Sequence, residues 1–333
     1  MVFVKMIDEL SALRRIKERL NYIDKGVVVG IGDDAAALST EHNSLVLATT
    51  DSQVEDVHFL KDKISPKDLG RRALAVAVSD IGAMGGVPKF FLSCIGLSDY
   101  VDSDFFECIL EGLALGSEEF RVIPVGGNIT SSDKMFINIT VLGEVEPELV
   151  VRRKGAREGD IIYLSGTVGD SALGLRILKR GGDTIEEDSF LIERHYRPSP
   201  RLVLGRELAK RRLATSMIDV SDGVILDLER ITVEHGLGAC IYIEKIPLSY
   251  CYRKRVSDFA PDLYELALSG GEDYELLFTV SKERKKEIEF VSGMLGIQVS
   301  EIGYVTGEPS ISVLSLHGGE KRIPYKGFIH LRK

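Results

Sequence analysis

Six aspartates, Asp33, Asp34, Asp51, Asp80, Asp219 and Asp222, sit at the ends of apolar runs or in turns that contain glycine. In open α/β sheets such strand ends are where ligands bind, so the six side chains could converge on one cleft. Converging carboxylates repel one another: two unit charges ~4 Å apart cost about 4 kcal/mol at an effective dielectric of 20. A cluster of this kind therefore needs protons, basic partners or cations. Hydroxyls stand beside it in the sequence (Thr49, Thr50 and Ser221), and neither His nor Cys belongs to the set. Hard oxygen donors alone favour Mg²⁺, which takes one or two carboxylates and leaves its other positions to water and phosphate oxygens. Aspartate also suits turns and helix N-termini for backbone reasons alone. One such residue says little, whereas the whole set points to metal and phosphate chemistry.

Two glycine pairs, Gly126-Gly127 and Gly270-Gly271, would let backbone approach a ligand closely, although tight turns use such pairs as well. The usual nucleotide signatures are missing. There is no G-x-x-x-x-G-K-[ST] segment, Gly30-Ile31-Gly32 is not completed to G-x-G-x-x-G, and the H-R-D and D-F-G elements of protein kinases are absent. Any use of ATP must rest on a rarer architecture.

The elements that would position these residues follow from periodicity. Strands are expected at Val27–Gly32, Ser44–Thr50, Lys89–Gly96, Val122–Val125 and Lys134–Gly143. Helices are expected at Arg71–Val78, leading into a loop at Ser79-Asp80, and at Asp104–Glu119 with Asp102 or Ser103 as N-cap. Charge and proline at Glu146-Pro147-Glu148 interrupt the pattern and suggest two domains, 1–147 and 148–333. The second half should place strands at Asp160–Ser165, Met217–Val220, Ala239–Ile243 and Tyr274–Val280. Its helices fall at Ser171–Lys179, Arg201–Arg211, Val224–His235 and Ser281–Gly293, with a polar surface loop at Gly181–Ser189. Val78-Ser79-Asp80 echoes Val220-Ser221-Asp222, which suggests two mixed αβ domains of related plan.

Composition narrows the partners. The net charge of −9 argues against nucleic acid or an anionic membrane as the main partner, since both reward clustered Lys and Arg. Cys94, Cys108, Cys240 and Cys251 are scattered without a C-x-x-C pair, which fits a reducing cytoplasm better than a disulfide framework or a zinc site. The first twenty residues read as an amphipathic helix, with Leu10, Leu13, Ile16 and Leu20 on one face, and not as a secretory signal or membrane span.

Several segments, in order along almost the whole chain, resemble the thiamine-monophosphate kinases, within the superfamily of aminoimidazole-ribonucleotide synthetase and selenophosphate synthetase. They are GIGDDAA (30–36), TTDSQVEDVHF (49–59), AVAVSDIGAMGGVPK (75–89), VGGNIT (125–130), RKGAREGD (153–160), SGTVGDSALGL (165–175), RPSPR (197–201), IDVSDG (218–223) and SGGEDYELLF (269–278). The resemblance implies an α/β fold of two mixed domains with ATP between them, a cytoplasmic homodimer, and Mg²⁺-dependent transfer of the γ-phosphate of ATP to thiamine monophosphate. It implies that Asp34, Thr49, Thr50, Asp51, Asp80, Asn128, Asp219 and Asp222 hold several Mg²⁺ ions, with Asp51 and Asp80 central. Gly127, Arg157 and Ser221 would contact ATP, and His58, Glu272 and Phe328 would contact thiamine monophosphate. Leu110 stands where some members place an aromatic residue against adenine, and Asn128 where others have Asp. Other readings are an ATP-dependent cyclase of the aminoimidazole-ribonucleotide-synthetase type and a non-catalytic sensor of metal and nucleotide.

Overall fold

The computed structural model describes residues 25–30, 32–40, 43–317 and 319; the expected N-terminal helix and Phe328 lie outside the described residues. Among the described residues the strands form two six-stranded sheets. The first comprises β1 (Val27–Val29), β2 (Ala36–Ser39), β3 (Leu45–Val54), β4 (Val87–Leu97), β5 (Ile123–Ser131) and β6 (Phe136–Val145), in the order β1-β2-β3-β6-β4-β5. The second comprises β7 (Ile161–Ser165), β8 (Ala214–Asp219), β9 (Gly238–Tyr242), β10 (Leu276–Val280), β11 (Val299–Thr306) and β12 (Ile311–Leu314), in the order β12-β9-β11-β7-β10-β8. Each sheet has one parallel pair at an edge, β4 with β5 and β9 with β12, and antiparallel pairs elsewhere. The two halves thus share a plan, as the sequence echo suggested.

Helix α1 (Pro66–Ala83) shows how the chain builds its centre. Ser65 caps it by accepting the Asp68 N–H at 3.0 Å, and Pro66 supplies a preset φ in the first turn. The helix starts five residues before the expected Arg71 and runs on through Asp80, because the Ser65-Pro66 start precedes the Ala- and Leu-rich stretch. Asp80 consequently belongs to a helix's last turn and not to a loop. Packing decides the rest. Ile137, Ile139, Val141 and Val145 of β6 point to one face of the first sheet and meet α1 and α2 (Ser103–Phe120) in a single core. The opposite face, which includes Leu92, Asn138 and Thr140, carries no helix among the described residues.

The second sheet is covered on both faces. Ile162 and Leu164 of β7 enter one core with α3 (Asp170–Arg180) and α6 (Val224–Ile231), while Tyr163 between them enters another with α5 (Leu202–Lys210). The polar stretch expected to be a loop at 181–189 already begins α4 (Glu186–Tyr196), whose first turn carries Glu186, Glu187 and Asp188 on the positive end of the dipole. Buried Glu275 ties this half together. It accepts from Arg201 Nε at 2.6 Å, Arg194 Nη2 at 3.0 Å and Ser165 Oγ at 2.6 Å.

The halves meet along α1. A Cβ on Gly205 of α5 would lie 2.1 Å from the Gly82 carbonyl oxygen, so only glycine permits this crossing. Arg206 closes the same seam, donating to the Gly85 carbonyl at 3.2 Å and to Glu146 Oε1 at 2.7 Å. Among the described residues, no helix is long and apolar enough to cross a membrane.

Candidate active site

The loop before β2 carries Asp34, the end of α1 carries Asp80, and the end of β8 carries Asp219. One carboxylate oxygen from each lies within 4.8 Å of the others. Each is held by a neighbour. Arg153 Nη2 donates to Asp34 Oδ1 at 2.7 Å, Thr49 Oγ1 to Asp80 Oδ2 at 2.5 Å, and Ser79 Oγ to Asp219 Oδ2 at 2.5 Å. Asp51 lies alongside on β3.

Crowding of charge at low dielectric raises the proton affinity of this group. Asp80 and Asp219 are pushed well above the ordinary carboxylate range, first by burial and then by the neighbouring aspartates. Asp51 is raised mainly by burial, with Asp222 and Asp34 adding to it and a hydrogen bond with Asp80 opposing it. Asp33 is pushed up to about 6 by burial and by Asp34, while the Arg153 N–H donates to its carboxylate. Arg153 is held in its charged form: burial opposes the charge, and Asp34, Asp33 and Asp219 together outweigh burial.

A second turn borders the cluster. Asp227 Oδ2 accepts the backbone N–H groups of Ser221, Asp222 and Gly223 at 3.1, 3.1 and 3.2 Å. Its own pKa is pushed up to about 7 by burial, against the pull of Arg230. Arg230 spans both acids, donating to Asp227 Oδ1 at 2.7 Å and to Asp222 Oδ2 at 2.6 Å. The 270–274 turn stacks on this one. Glu272 N–H donates to the Ser221 carbonyl at 2.8 Å, and Gly271 has no room for a Cβ, which would meet that same oxygen at 2.0 Å. Gly271 thus serves contact between two backbones.

The donor set fits a hard cation. All the clustered ligand atoms are carboxylate oxygens, and Asp34 Oδ2 is buried without a hydrogen-bond partner among the described residues. A buried charged acceptor left unpaired is costly, and a cation would satisfy it.

Known proteins resemble this chain along nearly its whole length. Residues 32–145 match the family model for the N-terminal domain of AIR synthase related proteins, and residues 157–315 match that for the C-terminal domain. The thiamine-monophosphate kinase of Escherichia coli (strain K12) is 36% identical, covering 97% of this chain and 98% of its own length. That of Bacillus subtilis (strain 168) is 34% identical, covering 92% and 94%. The solved structure of AaThiL complexed with AMPPCP and TMP has a TM-score of 0.86 at 33% identity and covers 99% of this chain and 100% of its own.

The chain belongs to the thiamine-monophosphate kinase family.

Asp34, Asp80 and Asp219 converge, with Thr49 bonded to Asp80. Thr50 points the other way along β3, its hydroxyl lying 3.1 Å from both Asn138 Oδ1 and Thr140 Oγ1 on the opposite face of the sheet. Gly127 and Asn128 are in β5, a strand extended through the Gly-Gly pair where the sequence suggested a turn. Their register line runs Asp51–Ile139–Ser93–Gly127 and Ser52–Asn138–Cys94–Asn128. Three strand spacings separate Asn128 from Ser52, about 14 Å at 4.8 Å per step. Gly127 is glycine because a Cβ there would lie 1.9 Å from the Ser93 carbonyl oxygen. His58 accepts the Val54 N–H through Nδ1 at 3.1 Å, which places the proton of the neutral ring on Nε2. Arg157 is exposed, its amide donating to Asp160 Oδ2 at 3.0 Å, and Leu110 is exposed on α2. Ser221 has its amide committed to Asp227.

Sequence reading missed Arg153, Asp227, Arg230 and Ser79. Arg153 lies in the quoted RKGAREGD segment, and Asp227 and Arg230 stand one turn apart just after the SDG turn. An excess of acid at one site is itself the signal that basic partners stand nearby.

Proposed function

We propose that this protein transfers the γ-phosphate of ATP to thiamine monophosphate, giving thiamine diphosphate and ADP, at the seam between its two halves. The observation that carries the proposal is the meeting of Asp34, Asp80 and Asp219 from both halves, within 4.8 Å. Family membership and the similarity to a protein complexed with AMPPCP, an ATP analogue, and TMP support it.

Asp34, Asp80 and Asp219 would hold Mg²⁺, with Asp51, Asp222 and Thr49 beside them, and the ion would neutralise charge between two phosphorylated anions. Phosphoryl transfer has a loose transition state, so the protein's task is to bring the anions into line and stabilise charge. The acceptor phosphate has a second pKa of about 6 and needs no general base near neutral pH. That suits a site whose acids are all occupied with charge. His58, with its proton on Nε2, would donate to the substrate phosphate. Exposed Arg157 and the Ser221 hydroxyl would meet ATP phosphates, and Glu272 would accept from the aminopyrimidine, with Phe328 against a ring.

Further parts of the reading concern assembly and place. We assign domains to 1–147 and 148–333, and a homodimer formed through the first. β5 is exposed along its length, and Phe90, Leu92, Ile123, Val125 and Ile129 present apolar surface around it. A second copy on that face would also explain how Gly127 and Asn128, far across the sheet from Asp51, come to serve a site. The absence of membrane helices among the described residues is consistent with a cytoplasmic enzyme.

The test is an assay with ATP and MgCl₂ against thiamine monophosphate, thiamine and aminoimidazole precursors, with products separated by chromatography. Thiamine diphosphate should form from the monophosphate alone and disappear with EDTA. A folded, ATP-binding protein that forms none, or that forms a cyclised purine precursor, would refute the proposal.

A further inference from the structure

Arg72 is completely buried in α1, and all its donor nitrogens are engaged. Nε donates to Gln53 Oε1 at 3.0 Å, Nη1 to the His195 carbonyl, and Nη2 to Glu272 Oε1. One planar guanidinium thereby joins β3, the end of α4 and the 270–274 turn. Its carboxylate partner is unusual. Glu272 has φ +68, a conformation rare for a residue with a side chain, and its side chain remains 25% exposed. Arg201, by comparison, ends on the buried acid Glu275. Arg72 ends on an acid at the site's edge.

The other carboxylate oxygen faces the buried ring of His195. Glu272 Oε2 lies 3.5 Å from His195 Nδ1, which is 3.1 Å from Ser171 Oγ. Burial first, and then Arg72, pushes His195 down to about 4, so the ring is neutral at physiological pH and does not compete with a ligand as a cation.

We propose that Arg72 is a positioning residue that locks the Glu272 carboxylate as an immobile acceptor, so that the site selects an aminopyrimidine over an oxopyrimidine. The inference rests on the function proposed above. An amino group donates to a fixed carboxylate, whereas an oxo group presents a second acceptor. A mobile carboxylate could shift to the neighbouring ring N–H of the oxo form, and one gripped by a planar fork cannot. Sites built to accept from a donor reject analogues that lack it by far more than size selection does.

The test compares kcat/KM for thiamine monophosphate and its 4-oxo analogue in the full-length protein, Arg72→Met and Arg72→Lys, with KM for ATP measured alongside. The unmodified protein should favour the amino substrate by roughly 100-fold or more. In Arg72→Met this preference should fall at least ~10-fold and KM for thiamine monophosphate should rise, with KM for ATP little changed. Arg72→Lys keeps the charge and most of the volume but lacks the fork, and should lose preference in the same direction; it is the deciding arm if Arg72→Met does not fold. An unchanged preference in the folded variants overturns the proposal. So do equal losses for ATP and thiamine monophosphate, or an unmodified protein that accepts both pyrimidines alike. A protein that phosphorylates neither pyrimidine overturns the parent reading instead.

Discussion

Asp219→Asn offers the sharpest check on the carboxylate cluster. Asparagine is nearly isosteric and keeps an acceptor for the Ser79 hydroxyl, which donates to Asp219 at 2.5 Å. The substitution removes one of three negative charges whose oxygens lie within 4.8 Å. At that distance and an effective dielectric of 20, each pair repels by about 3.5 kcal/mol, so Asp219 feels about 7 kcal/mol from Asp34 and Asp80 before Arg153 offsets part of it. Protonation limits the cost. A carboxylate with an ordinary pKa near 3.8 takes a proton at pH 7 for about 4 kcal/mol, so no single acid can destabilise the fold by more. Without metal, Asp219→Asn should therefore be more stable than the unmodified protein by about 2–4 kcal/mol, while activity is lost. The sign of the pH dependence follows. Asp219 has a raised pKa in the folded protein, so its destabilising effect grows as pH rises through that value and disappears as pH falls. The measurement is thermal unfolding with EDTA and with Mg²⁺ across neutral pH. The unmodified protein should gain much more from Mg²⁺ than the variant does, and it should lose stability with rising pH more steeply in EDTA. A variant that is less stable in EDTA yet retains the full Mg²⁺ increment would refute this reasoning.

Other consequences can be tested in the same way. Gly205→Ala should destabilise the protein by about 1–3 kcal/mol through overpacking against the Gly82 carbonyl, seen as a lower Tm with a normal response of the folded fraction to ATP. Glu275→Leu should cost about 3–5 kcal/mol because Arg194 and Arg201 lose their buried partner, which denaturant titration would register. His195 has its pKa lowered to about 4, so its neutral form stabilises the fold fully above pH 6.5 and loses that effect as pH falls toward 4. His195→Gln should flatten this acid limb by up to about 3 kcal/mol in pH-dependent unfolding. Arg153→Met should leave Asp34 without its cation, weakening the folded state at neutral pH and increasing the shift in Tm produced by Mg²⁺.

The cluster was legible in the sequence because Asp34, Asp51, Asp80 and Asp219 interrupt apolar stretches, a pattern that survives without knowledge of topology. What holds those residues was not legible. Arg153 reaches Asp34 across 119 positions and Ser79 reaches Asp219 across 140, distances at which local periodicity carries no signal. Local chemistry also misled where backbone proximity decided the outcome. Gly126-Gly127 suggested a turn, but strand β4 passes close enough to Gly127 to exclude any side chain, and the segment stays extended. Helix α4 was hidden because its acidic first turn looks like a surface loop until its apolar Leu191 is seen to be buried.

The contacts across the seam are reciprocal. Asp34 of the first half takes its orientation from Arg153 of the second, while Asp219 and Glu272 of the second take theirs from Ser79 and Arg72 of the first. The halves therefore cannot be exchanged between relatives like interchangeable modules. A chimera joining the first half of this chain to the second half of a distant homologue would aim these acids only where that homologue supplies the matching partners. Recombination within such an enzyme would succeed only when both members of each pair travel together, so the two halves are constrained to change in step.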